Sequence, residues 1–215
     1  MPDVSARTRI KRNAQRAEYD RAAIYKILDG QQICHVAYVI DGEPRLIPTL
    51  FMRRDDYIYL HGNRQAALLE HVGAGGLAVI SVMALDGVVV ARSGFHCSMN
   101  YHSVTLFGHG ERVSGDEHLS VLNDFVNALI PGHGDAVRPP SAQELAATTA
   151  VRVKIEEAVA KIRTGPPIDD DEDLAADVWA GEIPVSRQVL AAIPAPDLKP
   201  GLDVPDYIHR FGRTT

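Results

Sequence analysis

ICHVAYVI, residues 33–40, runs straight into Asp41-Gly42, and a second extended stretch follows at residues 45–52. Two runs rich in β-branched and aromatic residues, joined by a two-residue Asp-Gly step, specify an antiparallel hairpin, since both turn residues tolerate the positive φ that matches strand twist. Pro48 falls inside the second run. It cannot donate to a ladder, so that run is expected at a sheet edge or a bulge, where backbone groups stay open to a ligand. The pattern recurs. Asp55-Asp56 leads into residues 57–61, and Asp86-Gly87 between residues 77–85 and 88–91 reads as another hairpin. Residues 150–155 alternate as a further strand, and residues 178–185, with the only tryptophan, Trp179, read as the last. Hairpins without βαβ alternation favour a mainly β chain, a small closed or partly closed barrel with flanking helices, over a doubly wound sheet.

The helices are inserted between these strands. Asp20 is placed to cap a helix whose apolar residues Ala23, Ile24, Ile27 and Leu28 recur at helical spacing, and Gly30 ends it. Residues 65–72 follow the turn His61-Gly62-Asn63 with helical spacing at Ala66, Leu69 and Val72. A strand that ends in a polar turn and opens a helix gathers backbone amides and the positive end of the helix dipole, a geometry suited to anions. Leu119, Leu122, Phe125, Val126 and Leu129 share one face until Pro131-Gly132, and Ser141 with Glu144 has capping-box spacing.

Residues 92–101 mix serines, glycine, cysteine, methionine, asparagine and tyrosine around His96, too irregularly for a strand. From Ser103, Val104 and Leu106 alternate with Thr105 and Phe107, so the segment reads as a functional loop feeding a core strand. His96 is the candidate for chemistry there, because strand pairing does not account for it and Phe95 beside it would wall a pocket. Cys97, with no evident base, reads as a buried thiol.

The formal charge of −6 argues against nucleic acid as a main partner. Basic residues concentrate at the start, where Arg7, Arg9, Lys11, Arg12 and Arg16 mark residues 1–18 as a solvated arm ahead of a domain over residues 19–190. Pro194, Pro196, Pro200 and Pro205 make residues 191–215 an irregular tail that wraps the surface or a partner subunit. Neither Cys34 nor Cys97 belongs to a metal-ligand pattern, and no signal core or membrane-length apolar run is visible, so a reduced cytoplasmic protein without membrane contact is expected. The acidic run at residues 169–173 lacks the alternation of a calcium loop and reads as a solvated loop, leaving no expected metal site.

Taken together, RAEYDRAAIYKILD, ICHVAYVIDGEPRLIPTLF, YIYLHGN, ARSGFHCSMNYHSVTLFG, KIRTGPP and VWAGEIPV, in that order, resemble the flavin-binding split-barrel proteins related to pyridoxamine 5′-phosphate oxidase, in the branch that includes nitroimidazole-resistance reductases. The resemblance implies a split β-barrel homodimer with two symmetric flavin sites across its interface. It places Arg45, Ile47, Pro48 and Thr49 beside the isoalloxazine ring. His61, Gly62, Asn63, Arg64 and Gln65 would approach the ribityl chain and phosphate. Asn100 and Tyr101, with His102 and Ser103, would contribute polar contacts, Lys161 and Arg163 positive charge, and Trp179 a cover for the ring unless it is a core residue. FMN is the cofactor implied. Two departures bear on it: Ala66-Ala67 and His102 stand where the family carries cationic donors toward a phosphate monoester, which leaves FAD open, and haem as an alternative with His96 or His102 as ligand. The activity implied is transfer of hydride or electrons from a nicotinamide donor to a small electron-poor acceptor, the alternatives being a haem-handling protein or a non-catalytic flavin or nucleotide carrier.

Overall fold

The hairpin that anchors the sequence is present in the computed structural model, which describes residues 4–211; the outermost residues of the arm and of the tail lie outside the described residues. In chain order the elements are β1 (Ala17–Glu18), α1 (Arg21–Asp29), β2 (Ile33–Ile40), β3 (Glu43–Leu50), β4 (Met52–Arg54), β5 (Tyr57–Asn63), α2 (Ala67–Gly73), β6 (Leu77–Val90), β7 (Ser98–Arg112), α3 (Asp116–Leu129), α4 (Ala142–Ala147), β8 (Thr148–Lys154), β9 (Glu157–Arg163), β10 (Gly181–Pro184) and α5 (Asp206–His209). The chain is mainly β, with helices at the flanks. Asp20 caps α1 by accepting from the Ala23 amide, Gly30 closes it, and Ser141 with Glu144 forms the capping box of α4. Asp41 and Gly42, both with positive φ, make the turn between β2 and β3.

β7 is the strand on which the architecture turns. It pairs with β6 along nearly its whole length, while its other edge is shared: residues 101–107 pair with β9, and residues 110–112 pair with β8. Between the two, a Cβ at Gly108 would collide with the Lys154 carbonyl, so the partner exchange requires glycine there. Beyond β8 the order runs through β5 to β4, and beyond β6 through β2 to β3. β3 is thus an edge strand, as Pro48 demands. The main core gathers residues of α1, β2, β5, β6 and β7, with Ile24, Leu28, Val36, Ile58, Leu60, Ile80, Val104 and Leu106 almost fully buried. A second cluster, Met52, Tyr59, Val121, Phe125 and Ala150, sits under α3.

Several expectations are corrected. Asp86-Gly87 is a bulge in one continuous β6, and the turn comes later, between Val90 and Ser98. Gly87 serves close approach, since a Cβ there would lie 2.9 Å from the Ile183 carbonyl of β10, which pairs along this part of β6. A turn-forming dipeptide and a site of close backbone contact look alike in sequence. The irregular segment is also shorter than expected, because β7 begins at Ser98. Lys161 and Arg163 belong to β9, a strand the sequence reading missed. The basic arm is docked: Ser5 and Arg7 both donate to Glu157, Thr8 is buried, and β1 pairs with β9. Cys97 is exposed, because the turn that carries it stands off the core. Trp179 is not a core residue, being 65% exposed. No helix among the described residues is long and apolar enough to cross a membrane.

Candidate functional site

His61 sits near the end of β5, where α3 crosses, and its ring centroid lies 4.2 Å from that of Phe125. α3 is held there by charge. Arg54 donates to Glu117 at 2.9 Å and to Asp124 at 3.0 Å, and Arg152 of β8 reaches Glu117 at 3.0 Å. Between α3, the end of α1 and the β3–β4 junction lies a cavity of about 490 Å³, within the range of roughly 300–1,000 Å³ usual for small-molecule sites. Leu28, Leu50, Phe51, Phe125 and Leu129 give it apolar walls, and Gln32, Arg53, His61 and Arg187 give it polar points. Asp29 fixes Arg53 by a two-oxygen contact at 2.6 and 2.7 Å. Arg187 is exposed and has no ion pair among the described residues.

The side chain of His61, like that of Arg187, lines this cavity without a hydrogen-bond partner among the described residues. Its Nδ1 is buried without a hydrogen-bond partner, and burial pushes the pKa of the ring below the ordinary value of 6.5, so the neutral form dominates at neutral pH. A neutral, unpartnered imidazole among apolar walls is able to accept or donate one hydrogen bond or to ligate a metal.

The other site residues named from the sequence fall into separate groups. Arg45, Pro48 and Thr49 lie along β3 with Ile47, whose ladder to β2 leaves the opposite edge of the strand unpaired among the described residues. Gly62 and Asn63 end β5; the Asn63 side chain accepts from the Gln65 amide at 2.9 Å, and the Arg64 amide donates to the Ala147 carbonyl at 3.0 Å. Ala66 precedes α2 without a side-chain cap. Asn100 and Arg163 are 6% and 5% exposed and form a knot: Arg163 donates to the Asn100 side-chain oxygen and to the carbonyls of Gly165 and Pro166, and Asn100 donates to Glu182 at 2.6 Å. Tyr101 stands opposite Arg163, and Ser103 donates to the Lys161 carbonyl at 3.2 Å. His102 Nδ1 lies 2.8 Å from Asp86 at the β6 bulge. His96 is at the β6–β7 turn, 3.0 Å from Asp170. Burial pushes the Cys34 thiol up to about 12, which removes it as a nucleophile.

Of the candidate site residues named from sequence, only His61 lines the cavity. Phe125 and Arg187 were missed as site residues. Phe125 was visible only as part of a helix face, and Arg187 lies in a segment with no motif around it.

The family model for pyridoxamine 5′-phosphate oxidase matches residues 20–162. Among solved structures, the flavocytochrome Anf3 from Azotobacter vinelandii is 38% identical with a TM-score of 0.90, covering 96% of this chain and 97% of that one. An FAD and haem binding protein from Mycobacterium smegmatis is 37% identical with a TM-score of 0.87, covering 90% and 96%. A candidate 5-nitroimidazole antibiotic resistance protein from Bacteroides thetaiotaomicron shares the fold at 18% identity, with a TM-score of 0.57 and coverage of 68% and 86%. No curated protein sequence matches the chain.

Proposed function

Because the chain belongs to the pyridoxamine 5′-phosphate oxidase family, we propose that it is a flavin-binding redox protein, with FAD as the flavin and a haem as a second group. The observation that carries this reading is its near full-length similarity to a flavocytochrome and to an FAD and haem binding protein. FAD is preferred to FMN, the cofactor first implied, because no cation stands at Ala66-Ala67 to meet a phosphate monoester.

The residues present fit both groups. For the flavin, the unpaired edge of β3 offers backbone donors and acceptors over residues 43–50, with the Arg45 side chain beside them. Gly62, Asn63, Arg64 and Gln65 at the end of β5 would hold the polar chain. For the haem, the cavity supplies apolar walls and the neutral imidazole of His61, with Arg187 as a cation for carboxylates. Bound flavin would supply the hydride and one-electron chemistry that no side chain provides. The protein's own part is to orient the ring, exclude water with Phe51 and Phe125, and keep His61 unprotonated. The reaction we assign is transfer from a nicotinamide donor to a small electron-poor acceptor.

A second copy of the chain is the proposed partner. Ile33, Val39, Leu46 and Met83 on β2, β3 and β6 are each more than half exposed, an apolar face of the kind that marks an interaction surface. Light scattering should return twice the chain mass.

The absorption spectrum and mass of what copurifies test the reading. Flavin bands with a Soret band are expected, and the flavin bands should bleach on anaerobic addition of NADH or NADPH. A colourless protein whose melting temperature is unmoved by FMN, FAD or haem overturns it.

A further inference from the structure

The acidic run at residues 169–173 is folded against the β6–β7 turn. Arg92 holds it there: its backbone amide and its guanidinium donate to the two carboxylate oxygens of Asp169, each at 2.8 Å, and the Asp169 side chain is 1% exposed. The chain then makes a single 3₁₀ turn, Asp171–Ala175, entered from Asp170, and the Asp173 amide donates to the Asp170 carbonyl at 2.9 Å. With about three residues per turn, side chains three apart eclipse one another, so the carboxylates of Asp170 and Asp173 share one side. His96 meets them from the opposite strand connection. Its Nε2 lies 3.0 Å from Asp170 Oδ2, and the ligand atoms of His96, Asp170 and Asp173 all lie within 4.8 Å of one another.

We propose that His96, Asp170 and Asp173 form a binding site for a borderline divalent metal ion of the zinc class. One imidazole nitrogen with two carboxylates is a donor set that zinc accepts, water completing the shell, whereas calcium and magnesium prefer oxygen alone. Electrostatics points the same way. Among the described residues no Lys or Arg pairs with Asp170 or Asp173, while Arg92 is already committed to Asp169. Two carboxylates drawn together with no Lys or Arg partner repel, and a divalent cation between them and the imidazole reverses the sign of the interaction. The Phe95 ring packs edge-on to His96 at 5.2 Å. The site would staple the β6–β7 turn to the β9–β10 connection, and it makes His96 a ligand in place of a proton donor. It is independent of the flavin and haem reading, which uses none of these residues.

The test is titration of the full chain, dialysed against a chelator, with zinc chloride in a calorimeter, with cobalt(II) absorption as a second readout. One equivalent per chain is expected at this site. Asp173→Asn and His96→Gln should each weaken binding by about tenfold or more, the scale of even outer-shell losses at metal sites. Asp171→Asn, in the same run but outside the cluster, should leave affinity unchanged, and circular dichroism confirms that each variant is folded. Three results overturn the proposal: no saturable binding, binding indifferent to both ligand substitutions, or equal weakening by Asp171→Asn, which would reduce the effect to general acidity.

Discussion

At the start of β7 the guanidinium of Arg163 donates to Asn100 and to two backbone carbonyls, and Asn100 donates onward to Glu182 and Gly165, whereas beside α3 the Nδ1 of His61 is buried with no partner at all. Both regions are enclosed and polar, and both were named as cofactor contacts from the same resemblance. In the first, hydrogen-bonding capacity is consumed within the chain, with only Arg163 Nε left over. In the second one ring nitrogen is left without a partner, enclosed by the protein beside the apolar cavity that its residue lines. Since buried polar groups are nearly always satisfied, a side chain left without any partner is where a ligand is informative, and the Asn100–Arg163 bonds are more economically explained as holding the turn at residues 164–167. Residue type in a motif does not separate these cases; the disposition of each donor and acceptor does.

Arg163→Ala should separate them most sharply. It strips donors from Asn100 and from the Gly165 and Pro166 carbonyls, and unsatisfied buried groups cost about 1–3 kcal/mol each, so a loss on the order of 3 kcal/mol in urea unfolding is expected. Arg163→Lys should not restore it, because an ammonium cannot reproduce a planar fork aimed at three acceptors. Asn100→Ala should cost less, about 1–3 kcal/mol, and the double variant should fall short of the sum, since the two share a network. Folded fractions of either variant should retain cofactor. A variant that keeps its stability but arrives colourless would collapse the distinction and return Asn100 and Arg163 to the cofactor.

What the sequence made legible follows the range of its signals. The α1 cap at Asp20, the Asp41-Gly42 turn and the Ser141 capping box are local, and each is found where its residues predict. Asp86-Gly87 carried the same local signal for a different reason, the approach of β10 from nearly a hundred residues away, and so misled. β9 was missed because KIRTGPP shows its turn more loudly than the short strand before it. The site suffered most. The cavity depends on α3 being tied down by Arg54 and Arg152. The meeting of His96 with Asp170 depends on Arg92 capturing Asp169. Such tertiary ion pairs leave no periodicity to read.

His61→Phe is expected to have the smallest effect on stability and the clearest on the cavity. Phenylalanine fills similar space against Phe125 and removes a buried nitrogen that has no partner, so unfolding at neutral pH should change little, while a copurifying Soret band should be lost. The pH dependence carries the sign of the argument. Burial lowers the folded-state pKa of His61 below the unfolded value near 6.5, so between the two the unfolded chain binds a proton that the folded chain refuses. Stability of the cofactor-free protein therefore falls as pH drops through 6.5 toward the lowered value, by at most about 1.4 kcal/mol per pH unit from this one group. His61→Phe removes that contribution. The difference in urea midpoint between variant and parent should consequently grow in the variant's favour from pH 7 to pH 5, the other histidines cancelling in the comparison. A difference that stays flat across this range would mean that the imidazole protonates as freely in the folded chain as in the unfolded one, and the cavity would then lose the neutral ligand on which the haem assignment depends.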